Sequence, residues 1–338
     1  MTQTATVRIM SAEEIAARGG GDIPFAIWPE RSRFFAEREM RLRQLAANHS
    51  MGEFLQFMAL LCKAQQQLLD HYPAVALPGE AALDQAAQRS APPLSALDWP
   101  RDAAWRSGLR QMLDTLIVNA PAQTATVMRR LQTADDVWLE AQADCLLTGV
   151  TRSLDFAAAP LIAGALQVYF THLVLAVQSG ASKSRGRPFG RTDDETMCPC
   201  CGSRPVASVT RTAGEFLGQR YLQCSLCGTQ WHMVRIRCTH CLSEEGIAYQ
   251  SLQHAGAEGA EGVSVAAVQA ETCDRCQHYL KIMHTDRDPQ VDAVADDLAS
   301  LPLDLLVSEA GLQRHGVNLM LLFGDPDAAA PSSDPGRP

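Results

Sequence analysis

The sequence has no excess of basic side chains, and it has no apolar segment at its start. Its 338 residues include 29 Lys and Arg against 38 Asp and Glu, which gives a net charge of −9 at pH 7. This balance argues against nucleic acid or anionic lipid as the main partner, because both attract basic surfaces. Residues 1–21 contain scattered polar side chains and no apolar run typical of a signal peptide. We therefore expect a cytoplasmic protein that does not bind nucleic acid.

The common catalytic motifs are also absent from the sequence. It contains no Gly-rich phosphate-binding loop, no His-Glu-x-x-His, no Gly-x-Ser-x-Gly and no catalytic pattern of paired carboxylates. We interpret the acidic pairs Asp193/Asp194 and Asp296/Asp297 as solvent-exposed faces of their segments. The protein is expected to have no enzymatic activity of its own.

One apolar run is long enough to reach across a bilayer. Phe156–Val177 contains no charged residue. However, Gln167, Thr171 and His172 lie in its middle, and aromatic or basic anchors do not flank both of its ends. This pattern favours the central helix of a soluble bundle, with His172 as a hydrogen-bonded core residue, over insertion into a membrane.

Residues 1–180 predict an all-helical domain. Apolar residues recur at helical spacing, and Pro or turn-forming residues separate the segments. The linking stretch Pro73–Pro93 is rich in Pro and Ala and predicts a loop. The predicted helices are Arg33–Asn48, Met51–Tyr72, Trp105–Val118, Ala122–Leu131 and a further one that Thr133 caps and Gly149 ends.

The composition changes after Ser179. Residues 181–195 are rich in Gly, Ser and basic side chains and predict an exposed linker. Short strands and nine of the 11 cysteines follow, before a helical segment at 289–323 and a tail at 324–338 that we expect to be disordered. The predicted strands are Pro205–Thr210, Gln219–Gln223, Gln230–Arg237, Ile247–Gln250, Ser264–Gln269 and Tyr279–His284.

Eight cysteines form four Cys-x-x-C pairs. Two intervening residues make a tight turn that directs both sulfurs to one point, and two such turns complete a tetrahedral shell of four thiolates for zinc or a single iron. A thioredoxin-like redox pair would need a βαβ context, and the more closely strung iron–sulfur pattern of ferredoxins does not match. The pairs are Cys198/Cys201, Cys224/Cys227, Cys238/Cys241 and Cys273/Cys276.

The spacing of the pairs favours two separate sites. The predicted strand Gln230–Arg237 fills the gap between the second and third pairs. Such a strand spans about 25 Å, which is too far for both pairs to hold one ion. The first site is expected to contain Cys198, Cys201, Cys224 and Cys227, and the second Cys238, Cys241, Cys273 and Cys276. The two sites are expected to lie in tandem rubredoxin-like or zinc-ribbon-like modules at 196–236 and 237–288. Spacing alone leaves open an alternative in which the first and third pairs share an ion.

The remaining thiols and nearby imidazoles are not expected to be ligands. Cys200 lies inside the first pair and should point away from the ion. Cys62 and Cys145 lie on apolar helix faces, and we expect both in the core. Four cysteines close each shell, so His232 and His240 are interpreted as neighbours of the sites or as exposed residues. A closed shell leaves no position for a substrate, and an ion in it is structural or carries an electron.

Three classes of function fit such sites. A zinc-ribbon protein that binds nucleic acid needs a basic stripe, whereas residues 196–290 carry eight basic and nine acidic side chains. A rubredoxin-like electron carrier would leave the long helical domain unexplained. An assembly factor or protein-binding adaptor accounts for both parts of the chain.

Four stretches resemble one family, the formate dehydrogenase accessory protein FdhE. They are Cys198–Ser208 (CPCCGSRPVAS), Arg220–Cys238 (RYLQCSLCGTQWHMVRIRC), Glu271–Ile282 (ETCDRCQHYLKI) and Val294–Leu306 (VADDLASLPLDLL), and Phe34–Ala46 is similar as well. Cys200 and the Asn318–Leu319 step, where the family tends to have Asn-Pro, depart from it.

The resemblance implies a cytoplasmic, non-enzymatic factor. Such a factor is needed for active respiratory formate dehydrogenase and binds its molybdenum- and selenium-containing catalytic subunit before twin-arginine export. It also implies rubredoxin-like iron in the two four-cysteine sites, whereas the chemistry of the residues alone favours zinc. We therefore expect iron, with zinc as the alternative.

Overall fold

The computed structural model describes residues 23–180, 188–211, 218–252 and 266–322. In these ranges a helical region is followed by a β-sheet region with two clusters of four cysteines, and helices follow near the C-terminus. This order confirms the predicted fold class. The start of the predicted linker, residues 181–187, and the predicted tail at 324–338 lie outside the described residues.

Seven α-helices precede the cysteine pairs within the described part of the chain. Five of them follow the predicted apolar periodicity within a few residues at each end, and the long apolar run forms a sixth. The helices are α1 (Phe34–Ala46), α2 (Gly52–Asp70), α3 (Glu80–Gln88), α4 (Ala104–Leu116), α5 (Ala122–Gln132), α6 (Asp136–Thr148) and α7 (Ala159–Gly180).

Two predictions for this region are wrong. The stretch predicted as a loop, Pro73–Pro93, contains α3, a helix with no buried residue, so its sequence carried no apolar stripe. The cap of α6 is Asp135 and not Thr133, because the Asp135 carboxylate accepts hydrogen bonds from the backbone N–H groups of Val137 and Trp138. Gly149 ends α6 at a φ of 72°, as predicted.

The long apolar helix α7 forms the centre of the helical region. Within the described residues it is the one helix long and apolar enough to cross a membrane, and 83% of its most apolar window is buried inside the chain. His172 is buried in it, and its Nδ1 lies 3.2 Å from the Arg31 guanidinium. The prediction of a buried helix with a hydrogen-bonded core histidine is confirmed.

Eight strands in the described ranges form one sheet. Their order is β1-β4-β3-β2-β7-β6-β5, and β8 pairs with β7 beside this path. Most neighbours are antiparallel, but β2 and β7 are parallel and join the two halves, so both cysteine clusters lie on a continuous sheet. The strands are β1 (Ala26–Ile27), β2 (Pro205–Arg211), β3 (Gln219–Cys224), β4 (Gln230–Met233), β5 (Ile247–Gln250), β6 (Val268–Cys273), β7 (His278–His284) and β8 (Gln313–Arg314).

Two strands differ from their predicted ranges by more than one residue. β4 ends at Met233 and not at Arg237, because the next residues leave the ladder and Ile236 takes a left-handed φ of 57°. The strand predicted at Ser264–Gln269 lies further along the chain, since β6 continues to Cys273, and residues 264–265 lie outside the described residues.

Two short helices follow β7, α8 (Ala295–Ala299) and α9 (Leu301–Glu309). The second acidic pair lies in α8 and is buried. Asp296 and Asp297 are 3% and 2% exposed, so the prediction of a solvated face is wrong for this pair. Basic partners explain the burial: Arg41 of α1 forms an ion pair with Asp296, and Lys281 and Arg314 form ion pairs with Asp297.

Candidate metal centres

The first cluster brings together the four thiols of the first two Cys-x-x-C pairs. Their sulfur atoms all lie within 4.8 Å of one another, and the shortest separations are 3.5 Å for Cys198–Cys227 and 3.4 Å for Cys201–Cys224. Four thiolates at about 2.3 Å from a central ion would be about 3.8 Å apart, whereas a disulfide needs about 2.0 Å. The four sulfurs are therefore too far apart for disulfides, and their spacing is suitable for holding one metal ion. We call this cluster site 1.

Backbone geometry at site 1 explains the Cys-x-x-C spacing. The N–H groups of Leu226 and Cys227 each donate to the Cys224 sulfur at 3.3 Å, which stabilises negative charge on that sulfur. Gly202 and Gly228 follow the two pairs with φ of 71° and 74°, a conformation that allows the chain to leave the turn. A Cβ at position 228 would lie 2.2 Å from the Phe34 ring, so glycine also allows α1 to pack against the turn.

Site 1 is buried between the sheet and the helical region. All four of its cysteines are buried. From α7, the Gln167 side-chain amide donates to the Ser225 carbonyl at 2.8 Å and the Thr171 hydroxyl donates to the Cys227 carbonyl at 3.3 Å. The backbone of the segment after α3 also donates to the carbonyls of Cys200 and Cys201 at 3.0 and 2.8 Å. The turns that hold site 1 are thus fixed by the helical region.

The second cluster, site 2, groups the thiols of the last two pairs. Sulfur separations of 3.6 Å for Cys238–Cys276 and 3.7 Å for Cys241–Cys273 again match a tetrahedral shell. The backbone N–H groups of His240 and Cys241 donate to the Cys238 sulfur at 3.4 and 3.5 Å. In contrast to site 1, Cys241 is exposed and Cys276 is half-buried.

The structure groups the four pairs in sequence order. The first joins the second and the third joins the fourth, so an arrangement with the first and third pairs around one ion does not occur in it. The strand that was predicted to keep the second and third pairs apart is shorter than expected, because only Gln230–Met233 of the connecting segment is a strand. Either cluster can hold a metal ion.

Burial changes the proton affinity of the site 1 thiols. It raises the pKa of Cys198 and of Cys224 well above the usual range for cysteine, since desolvation disfavours the thiolate. Burial also opposes the thiolate of Cys227, but hydrogen bonds from the neighbouring thiols outweigh burial and lower the pKa of Cys227 well below the usual range. The ligand form is the thiolate, so an ion that enters site 1 must displace the protons of Cys198 and Cys224.

The other cysteines lie outside both clusters. Cys200 is buried, and its sulfur lies 3.5 Å from the Thr229 hydroxyl, while the four sulfurs of site 1 group without it. Cys62 is a buried core residue as predicted. Cys145 is half-buried and packs against the core, so it lies at the margin of the core and not fully inside it.

Two histidines lie beside site 2, and sequence reasoning identified only one of them, His240. The rings of His240 and His278 stack at 3.7 Å, and His278 Nδ1 lies 2.7 Å from the Cys276 carbonyl oxygen. His278 follows the last pair by two residues, which is the one sequence signal for its position. His232 is half-buried and its Nε2 lies 2.9 Å from the Gln219 amide oxygen, away from both groups of sulfurs.

The difference in exposure predicts different rates of metal release. In protein loaded with zinc, a chromogenic chelator should remove about half of the metal quickly, from site 2, and the rest at least tenfold more slowly, because a chelator must reach a ligand before it can displace it. Absorbance of the chelator complex measures both phases. Cys241→Ser should abolish the fast phase and leave the slow one. Release of all metal in a single phase would contradict the prediction.

Three family models match the chain. The model described as FdhE, N-terminal, matches residues 23–186, the FdhE central domain matches 197–235 and the FdhE C-terminal domain matches 236–321. Together they cover the helical region, site 1 and site 2.

Curated relatives and a solved structure agree with these matches. A protein FdhE homolog of Pseudomonas aeruginosa is 39% identical over 290 residues, which are 86% of this chain and 90% of the relative. A homolog of Klebsiella pneumoniae subsp. pneumoniae is 33% identical over 323 residues, 95% of this chain and 99% of the relative. The crystal structure of the FdhE protein from Pseudomonas aeruginosa superposes with a TM-score of 0.74 at 38% identity and covers 89% of this chain and 100% of that one. The chain belongs to the FdhE family.

Proposed function

We propose that this protein is a non-catalytic accessory factor that binds the catalytic subunit of a respiratory formate dehydrogenase. Binding takes place in the cytoplasm and supports maturation of the subunit before its export. Family membership supports the link to formate dehydrogenase. The observation that carries the non-catalytic role is that each cluster offers four thiols in a closed tetrahedral arrangement, which leaves no coordination position for a substrate.

Each four-cysteine cluster holds one iron ion in this proposal, with zinc as the alternative. All eight cysteines of sites 1 and 2 are the ligands, and Cys200 is not. A shell of four thiolates accepts either metal. Backbone N–H groups donate to the sulfurs of Cys224 and Cys238, and such hydrogen bonds tune the potential of a thiolate-bound iron. The chemistry of the residues therefore fits a rubredoxin-like ion.

A second function, electron transfer, is favoured by one observation. Cys241 is exposed and Cys276 is half-buried, so an ion in site 2 lies close to the surface that a redox partner would approach. An electron carrier would contain iron that is reduced and reoxidised reversibly, and its partner would dissociate quickly. A chaperone-like factor would form a complex that survives purification.

The test is co-purification of the tagged chain with a formate dehydrogenase catalytic subunit, combined with metal analysis of protein purified without oxygen. We expect a complex that survives moderate salt, two metal ions per chain, and loss of the complex in Cys198→Ser and Cys273→Ser. Cys200→Ala serves as the control and should retain the complex. If no formate dehydrogenase subunit associates with the metal-loaded chain, the accessory role is wrong. Reversible reduction of the iron in that case would favour the electron carrier.

A further inference from the structure

The loop that connects the two metal centres is strained. Residues 234–237 lie between the end of β4 at Met233 and the first ligand of site 2, Cys238. Ile236 in this loop has a φ of 57°. A β-branched side chain rarely takes this left-handed conformation, which glycine takes without cost. The loop therefore retains a residue that is unfavourable for folding at this position.

Burial does not explain why an isoleucine stands there. The Ile236 side chain is 57% exposed, and Val234, two residues earlier, is 51% exposed. Neither side chain gains enough contact with the core to offset the strain. Exposed apolar side chains also occur elsewhere on the chain, such as Val137, so exposure alone does not mark a binding surface. What distinguishes Val234 and Ile236 is their position beside a strained backbone and, as described next, beside a cleft.

A cleft adjoins this loop. Its volume is about 120 Å³. Its walls come from the segment before β1, from residues 191–199, from β4 and from the loop 234–237. The apolar lining residues are Phe25, Met197, Pro199, Trp231, Met233 and Val234.

The cleft contains an arginine that has no acidic partner among the described residues. The exposed Arg191 guanidinium lies 4.8 Å from the centre of the Phe25 ring, and it forms no ion pair with any residue that the structure describes. The other guanidinium in the lining, that of Arg237, is paired with Glu195 at 2.9 Å. In a chain with a net charge of −9, a guanidinium without an acidic partner in the described ranges, beside an apolar cleft, favours a carboxylate on the ligand.

The cleft is connected to both metal centres. Pro199 lies between two thiols of site 1, and the loop 234–237 runs directly into Cys238 of site 2. An ion in site 1 would hold the turn that contains Pro199, and an ion in site 2 would hold the end of the loop 234–237. This connection would make binding at the cleft depend on occupied metal sites.

We propose that the cleft and the loop 234–237 form the docking site for an extended segment of the partner protein, in which apolar side chains flank an acidic one. The partner is the catalytic subunit of a formate dehydrogenase, so the inference rests on the proposed function. Val234 and Ile236 contact the apolar side chains of the segment, and Arg191 pairs with its carboxylate.

The test measures the affinity of the metal-loaded full chain for the purified catalytic subunit. Ile236→Gly, Val234→Ser and Arg191→Glu should each weaken binding roughly tenfold, which corresponds to about 1.4 kcal/mol. Val137→Ser on α6, where the side chain is 77% exposed, and Lys63→Glu on α2 are matched controls and should bind like wild type. Ile236→Gly should have an unchanged or higher melting temperature, because glycine relieves the strain.

Hydrogen exchange provides a second measurement. Amides of residues 233–237 should become protected in the complex. If wild type binds the subunit but the three variants bind equally well, the docking site is wrong while the proposed function stands. If wild type does not bind, both are wrong. Faster exchange of 233–237 in a free chain without residues 1–21 would show that the chain's own N-terminus covers the surface, which would also overturn the proposal.

Discussion

Replacement of Cys224 by serine is expected to destabilise the helical region as well as the sheet. Site 1 is buried, and Gln167 and Thr171 of α7 donate hydrogen bonds to the carbonyls of Ser225 and Cys227 in its second turn. An ion bound by four cysteines contributes on the order of 10 kcal/mol to the folding of small modules, which is as large as the stability of a whole domain. Loss of this ion should therefore remove most of the free energy of unfolding.

Cys276→Ser is the matched control for this prediction. It removes the same ligand type from site 2, where Cys276 is half-buried and Cys241 is exposed. Hydrogen exchange should show lost protection of α7 in Cys224→Ser, whereas α7 should remain protected in Cys276→Ser and only strands near site 2 should open. Equal protection of α7 in the two variants would contradict the proposed coupling between site 1 and the helices.

Periodicity predicted six of the seven α-helices that precede the cysteine pairs, and spacing favoured the grouping of the thiols that the structure has. The apolar repeat of α2 and the uncharged run of α7 are local signals, and the Cys-x-x-C turn is local as well. The order of the four pairs along the chain then matched their order in space. Each of these features depends on residues close in sequence, so a single sequence is enough to predict the helices and the Cys-x-x-C turns.

The continuous sheet could not be predicted in this way. Its two halves meet through the parallel pairing of β2 with β7, in which Ser208 lies opposite Ile282. Such a pair joins residues distant in sequence, and no local pattern indicates it. The tandem modules were predicted as separate units because each repeats the same local plan.

The contact between site 1 and α7 was hidden for a similar reason. Gln167 and Thr171 were recognised only as polar residues that argue against a membrane span. Their partners are backbone carbonyls of the second Cys-x-x-C turn, more than fifty residues away. A backbone carbonyl carries no sequence signal, so a polar residue in an apolar helix predicts a partner without identifying it.

The same limitation applies to Asp297, for which we expect the second large effect. Its buried carboxylate lies 3.2 Å from Lys281 Nζ, 2.7 Å from the Arg314 guanidinium and 2.8 Å from the Asn318 amide. Burial raises the pKa of Asp297, but the two cations outweigh burial and hold that pKa below its usual range. Asp297→Asn keeps the shape of the side chain and leaves Lys281 and Arg314 with one negative partner fewer in the interior.

Removal of one partner from a buried ion pair costs about 3–5 kcal/mol, so Asp297→Asn should lower the free energy of unfolding by about that amount at pH 7. Asp193→Asn, at the exposed acidic pair, is the control and should change it by less than about 0.5 kcal/mol. Because the pKa of Asp297 is lowered in the folded state, its contribution is present above the pKa of the unfolded chain and is lost as the pH falls through the folded value. The difference between wild type and Asp297→Asn in urea unfolding should therefore shrink below about pH 4. A difference that stays constant down to pH 3 would show that shape, and not charge, makes Asp297 necessary.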